Sequence, residues 1–347
     1  MNNKTDVKIL SIIGTRPQYI KIKPIFDYCK SENIDHYIAD TRQHYSHNVS
    51  GALIEDLELN IDFSLSLESS NELSFMAECT LAIRDIILSL KPDAVLVYGD
   101  TNSTFCAALA AYKLGVPIAH IEAGERCHDN SVPEEVTRKF VDEVSTLNFC
   151  SSSVALENLD EAVLCGDLEY ELLNNVNPDI LFEDFGVMTI HRQANCSKER
   201  IGEILSFCEK IPMNIKFFAH HRTLPLLPSD MPDNVLVYES CPYSEMIRNL
   251  SKCTFIITDS GSIQKTSGFF GKRALVMRER SEWKKTEASN FAKLAETVEK
   301  DIDWLLKGKT DRDKRLYLSK YSGDMPSKII ISSVMNKLGD GSNNEQE

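Results

Sequence analysis

Two carboxylates and a guanidinium bracket the segment Ile118–Arg138. An apolar run, Ile118, Ala119 and Ile121, ends in Glu122, then Ala123-Gly124 and a polar loop. The loop closes on Pro133-Glu134-Glu135, which opens a helical pattern carrying Arg138. Acids at a strand end and a helix start, with a cation one turn on, suit proton transfer at two faces of a bound anion. Glu122 ends an apolar strand, so it should be partly buried and need a partner. Glu134 and Glu135 also read as first-turn carboxylates that complement the helix dipole, and for Glu135 this is the preferred reading.

Further polar groups sit at other strand ends. Gly14-Thr15-Arg16-Pro17 follows the run Val7–Ile13. There the glycine permits a tight turn, and backbone N–H groups, helix dipole and Arg16 make an anion site, with Lys21 adding charge. An ordinary turn with a solvent-exposed arginine is the bland alternative. Tyr98-Gly99-Asp100-Thr101 ends another strand, where Asp100 serves either as an N-cap or as a carboxylate lining a cleft. His191-Arg192 and His220-His221-Arg222 follow two successive strands. One polyanion lying across both explains them better than a metal, because no HxH or HxxxH spacing is present. Asp259-Ser260-Gly261-Ser262 precedes a helix through Gln264, and reads either as amides closing on a phosphate or as a capped helix start. No Walker GK[ST] and no GxSxG is present. Asp311-Arg312-Asp313 lies in the run TDRDKR and reads as a solvated face.

The elements that must hold these groups are short β-branched runs alternating with amphipathic stretches. Strands are expected at Val7–Ile13, Ala94–Tyr98, Ile118–Ile121, Thr146–Cys150, Gly186–Ile190, Ile215–Ala219, Asn234–Tyr238, Phe255–Thr258 and Ala274–Met277. Helices are expected at Glu72–Leu90, Thr104–Leu114, Pro133–Val144 and Lys198–Lys210. Such alternation, with near-continuous apolar strands, predicts α/β architecture with parallel sheets covered on both faces. The series runs twice. It gives an N-terminal domain over 1–165, a second domain over 166–325, a C-terminal helix over 326–338 packing back on the first, and a disordered tail over 339–347. The stretch Gly166–Phe185 is rich in Asp, Glu and Asn and reads as interdomain.

With 347 residues, 42% apolar and 26% charged, the chain is globular in composition. A net charge of −14 with no basic block excludes nucleic acid and anionic membranes as partners. The ten cysteines form no CxxC pair and read as reduced, mostly buried residues. The N-terminus has no signal-peptide architecture, and no segment approaches the length of a membrane span, so the expected location is cytoplasmic.

Together the segments GTRPQYIKIKP, TRQHY, VLVYGDTNST, HIEAGERC with VPEEVTRKFVDEVS, MTIHR, HHRT and IITDSGSIQK resemble the bacterial non-hydrolysing UDP-N-acetylglucosamine 2-epimerases, in that family's order. GTRPQYIK, SGSIQK and Ser281-Glu282-Trp283 are similar to the branch acting on UDP-2,3-diacetamido-2,3-dideoxy-glucuronate. The resemblance implies two Rossmann-like doubly wound domains facing a cleft, the GT-B fold, and a homodimer. It implies a UDP-sugar substrate, no cofactor and no metal. The chemistry implied is inversion at C2 by anti-elimination of UDP, giving a 2-acetamidoglycal, and re-addition. Carried over by position, Asp100, Glu122, Glu134 and His191 are the catalytic groups. Arg16, Lys21, Arg138, His220, Ser260, Gly261, Ser262 and Thr266 hold the nucleotide, His191 also serving the phosphates.

Four departures stand out. Lys265 and Thr266 replace two acids after SGxIQ, the second of which is expected at the ribose hydroxyls. The segment His191-Arg192-Gln193-Ala194-Asn195 lacks the family's Glu. The loop between Glu122 and Glu134 is shortened, and so is the connection before Cys165-Gly166-Asp167. The competing readings are a hydrolysing epimerase, a GT-B glycosyltransferase with an acceptor site, and a catalytically silent sugar-nucleotide binding protein.

Overall fold

A computed structural model of the chain describes residues 7–43, 50–176, 180–239, 241–278, 290–295, 298–307 and 325–343. It divides into two compact units, Met1–Asn175 with Tyr321–Glu347, and Val176–Lys320.

The first unit is built on seven strands: β1 Lys8–Ile13, β2 Asp35–Asp40, β3 Phe63–Ser64, β4 Ala94–Tyr98, β5 Ile118–Ile121, β6 Leu147–Cys150 and β7 Val163–Leu164. They lie in the order β3-β2-β1-β4-β5-β6-β7, with every pairing parallel. The second unit has β8 Phe185–Thr189, β9 Asn214–Phe218, β10 Val235–Tyr238, β11 Phe255–Thr258, β12 Arg273–Val276 and β13 Ala292–Leu294. Its order is β10-β9-β8-β11-β12-β13, again parallel. Both sheets reverse direction next to their first strand, between β1 and β4 and between β8 and β11. In a doubly wound sheet, ligands bind beyond the strand C-termini at that point.

The helices are α1 Arg16–Ser31, α2 Ala52–Asp56, α3 Glu72–Leu90, α4 Asn102–Leu114, α5 Pro133–Val144, α6 Ser153–Leu156, α7 Leu168–Val176, α8 Lys198–Cys208, α9 Tyr243–Lys252, α10 Gly261–Phe269, α11 Val298–Leu306 and α12 Pro326–Asn343. Local chemistry fixes their ends. Thr101 caps α4 by accepting from the Thr104 amide, and Gly115 closes it at φ +70°. Asn71 caps α3 through the Ser74 amide. Strands such as Ala94–Tyr98 are buried at every position, which is why they read as continuous apolar runs. Leu10, Ile12, Val95, Val97 and Ile118 join Ile83, Ile87 and the α4 alanines in one core. Met188, Phe217, Phe255 and Ile257 anchor the other. Gly186 matters there: a Cβ at that position would lie 2.2 Å from the Phe255 ring.

Three expectations need correction. The stretch Gly166–Phe185 is not simply a linker, because it contains α7, whose Leu168, Tyr170, Leu172 and Leu173 are buried. The tail does not begin at Gly339, since α12 continues to Asn343. That helix is fixed at its start, where Glu171 accepts from the Ser327 amide (2.8 Å) and hydroxyl (2.5 Å). Strands β2, β3, β7 and β13 were not expected; they are short or carry few apolar residues. Ser281-Glu282-Trp283, Asp311-Arg312-Asp313 and the His44-Tyr45 end of TRQHY lie outside the described residues.

Candidate active site

In the first unit the β1–α1 turn is held by a side chain rather than left open. The Gln18 carbonyl oxygen accepts from the amides of Gly14 (2.8 Å) and Thr15 (3.1 Å). Its amide nitrogen donates to the Tyr98 carbonyl (2.7 Å) and to the Thr101 and Thr104 hydroxyls (3.1 Å each). The turn after β1 is thereby tied to the turn after β4. Two amides of the expected anion site are already bonded, which leaves Arg16 and the helix dipole as its positive features there. Gly14 is required by crowding, because a Cβ would sit 2.0 Å from the Thr41 hydroxyl and 2.5 Å from that of Ser103.

Strands β4 and β5 end side by side, with the Gly99 amide donating to the Ile121 carbonyl (2.9 Å). Gly99 has φ +66°, and a Cβ on it would lie 3.4 Å from the Glu122 carboxylate. Glu122 itself has φ +67°. The left-handed conformation costs a non-glycine residue about 1 kcal/mol or more. It is held by the Ala123 amide on the Phe149 carbonyl (3.0 Å) and by Gly124 against Asp142. Such strain gathers where a side chain must be aimed. Glu122 is 22% exposed and pairs with Lys21; Asp100 pairs with Arg138. Lys21 and Arg138, expected at phosphates, are thus set directly against two of the three expected acid/base carboxylates.

Glu135 corrects its reading as mere helix support. It is 0% exposed and accepts from the amides of Cys127 (2.9 Å) and His128 (3.2 Å) and from Arg138 (2.8 Å). Burial pushes its acidity one way, but these donors outweigh it and hold the carboxyl down at about 2. Glu135 therefore anchors the loop between Glu122 and Glu134 and braces Arg138. Glu134, one residue earlier, is exposed in the first turn of α5.

In the second unit the organising group is Asp259, 0% exposed at the end of β11. It accepts from the amides of His191 (3.1 Å) and Arg192 (2.9 Å) and from the Asn195 side chain (2.9 Å). Its carboxylate also lies 3.3 Å from His191 Nδ1. The His191 and His220 rings are 5.9 Å apart, and His220 Nδ1 accepts from the Arg222 amide at 3.3 Å. Two successive strand ends thus bring their histidines together. Ser260 caps α10 through the Ile263 amide, and Gly261 and Ser262 form the first helical turn. Thr266 is buried and donates to the Ser262 carbonyl (3.0 Å). Among the described residues, no group of three or more His, Cys, Asp or Glu side chains is arranged to hold a metal ion.

The family model described as UDP-N-acetylglucosamine 2-epimerase matches residues 27–322. The chain belongs to this family. UDP-2,3-diacetamido-2,3-dideoxy-D-glucuronate 2-epimerase of Pseudomonas aeruginosa strain PAO1 is 34% identical over 304 residues, covering 80% of this chain and 85% of its own. The crystal structure of Methanocaldococcus jannaschii UDP-GlcNAc 2-epimerase in complex with UDP-GlcNAc and UDP superimposes with a TM-score of 0.76 at 26% identity, covering 95% of this chain and 100% of that one. The glycosyltransferase SnogD from Streptomyces nogalater, at 13% identity, shares the fold alone, with a TM-score of 0.62 over 95% of this chain and 99% of its own. Arg16 and Asp100 follow the strands at the first sheet's switch point and His191 and Ser260 those at the second, whereas Glu122 and His220 follow the neighbouring strands β5 and β9. Sequence reasoning gave no role to the groups behind them, Gln18, His120, Asp142 and Asp259, although Asp259 stood in a motif it had singled out. The signal available for three of these was a polar side chain inside, or directly after, an otherwise apolar strand or helix turn.

Proposed function

We propose that the protein inverts C2 of a UDP-N-acetylhexosamine-type sugar by anti-elimination of UDP and re-addition. The C2–H and C1–O bonds break, C1=C2 forms, and UDP departs with its bonding pair. UDP then returns to C1 while a proton enters C2 from the other face. The observation that carries this reading is the pair of carboxylates, Asp100 and Glu122, on adjacent strand ends, each set against its own cation. One removes the C2 proton and the other returns one, with Glu134 as a third acid. C2 bears no carbonyl, so stabilising the departing diphosphate supplies most of the rate; Arg16, His191 and the amides after Ser260 are assigned to it.

The named activities of the relatives support UDP-sugars as the substrate class, and UDP-2,3-diacetamido-2,3-dideoxy-D-glucuronate is the first to test. The reading also includes a cytoplasmic homodimer. Burial pushes the thiols of Cys29, Cys208 and Cys253 up to about 12, which makes them unreactive core residues. Among the described residues no helix is long and apolar enough to cross a membrane.

The test is incubation in D₂O with that sugar nucleotide and, separately, with UDP-N-acetylglucosamine. The epimer should carry one solvent deuterium at C2 by mass spectrometry, and UDP should not accumulate. An epimer without label overturns the elimination route, and stoichiometric UDP release identifies a hydrolysing enzyme instead.

A further inference from the structure

His120 is a fully buried polar side chain on β5, 0% exposed and two residues before Glu122. Its Nε2 lies 2.8 Å from the Gly99 carbonyl oxygen, and its Nδ1 lies 2.7 Å from Asp142 Oδ1. A carbonyl oxygen can only accept, so Nε2 must carry a hydrogen. Asp142 is 3% exposed, and the groups set against its oxygens are donors: Arg126 Nη1 at 2.6 Å and the Gly124 amide at 3.3 Å. A carboxyl met by donors on every side also acts as acceptor, so Nδ1 must carry a hydrogen as well. An imidazole with hydrogen on both nitrogens is a cation.

We propose that His120 is a positioning residue for the epimerase chemistry proposed above, on which this inference rests: a buried, doubly donating imidazolium that locks the Asp100 turn to the Glu122 strand end and to α5. Gly99 immediately precedes Asp100, so Nε2 fixes the turn that carries one carboxylate. Asp142 lies four residues after Arg138 on α5, the helix whose Arg138 grips Asp100. Asp142 also receives the Gly124 amide, just beyond the left-handed backbone of Glu122. One side-chain chain therefore sets the positions of both acids, with little slack: a Cβ at Gly99 would already touch the Glu122 carboxylate at 3.4 Å. A misplacement of about 1 Å at a reacting group costs on the order of 10²-fold in rate.

The test combines nitrogen-15 NMR of the labelled full chain with kinetics of His120→Gln and Asp142→Asn. In the unsubstituted protein the His120 ring, assigned by its loss in His120→Gln, should show hydrogen on both nitrogens, one directed at the Gly99 carbonyl and one at Asp142. Both substitutions should lower kcat by about 100-fold or more while leaving the UDP dissociation constant within about threefold, a split that a general loss of structure does not produce. A ring with one bare nitrogen, or His120→Gln with kcat within about threefold of the parent, overturns the proposal. Should the variants not fold, the ring spectrum of the parent decides. Should the parent turn over no UDP-sugar, the epimerase reading fails, while the spectrum still reports on His120.

Discussion

Glu135→Gln isolates the charge that holds the loop between Glu122 and Glu134. The substitution keeps the size of a fully buried side chain but removes the carboxylate that meets two amides and Arg138. The drop in its pKa from 4.5 to about 2, at about 1.4 kcal/mol per pKa step, is worth about 3 kcal/mol. Breaking one side of a buried charge pair costs a similar 3–5 kcal/mol or so. An opening equilibrium shifted by about 3 kcal/mol corresponds to roughly 100-fold faster hydrogen exchange at the Cys127 and His128 amides. Mass-spectrometric exchange over residues 123–132 reads this directly. The parent protein should show the same loosening with acid. A carboxylate whose folded pKa is depressed contributes stability fully present above its unfolded value, near 4.5, and lost as pH falls toward about 2. Exchange in the variant within about threefold of the parent, at neutral pH, would show that the loop is held by something else.

Three further outcomes are expected. Glu122→Gln should reduce turnover by about 10²–10⁴-fold, the usual contribution of a positioned acid or base, with UDP affinity by calorimetry nearly unchanged; full activity removes Glu122 from the mechanism. Asp259→Asn should lower kcat/KM by at least about tenfold, since a buried charged hydrogen-bond acceptor is worth about 1.5–3 kcal/mol; steady-state kinetics equal to the parent's would deny its hold on His191. Gly14→Ala should cost about 1–3 kcal/mol, because its Cβ meets the Thr41 and Ser103 hydroxyls; an unshifted urea midpoint would contradict that crowding.

The buried central strands and the polar residues directly after them were legible in the sequence, since parallel strands covered on both faces leave long apolar runs ending at ligand-facing turns. Ala94–Tyr98, Ile118–Ile121 and Phe255–Thr258 agree residue for residue with the expectation. Edge strands such as Phe63–Ser64 and Val163–Leu164 were not, because two residues leave no periodicity to read. Nor was the partnering of the site. Asp100 with Arg138 spans 38 residues and Lys21 with Glu122 spans 101, and such pairs depend on strand order, which composition does not encode. Glu135 was misjudged for the same reason: its acceptor role depends on a loop folding back across the helix start.

The final helix has a bearing on how the molecule is made. Pro326–Asn343 belongs to the first unit, yet every residue of the second is synthesised before it. Until Ser327 reaches Glu171, the nascent first unit on the ribosome lacks that buried contact and keeps an apolar seat for Ile330, Ile331 and Val334 uncovered. Tags or truncations at the C-terminus therefore act on the half of the protein that carries Asp100 and Glu122, although they are attached far from it in sequence.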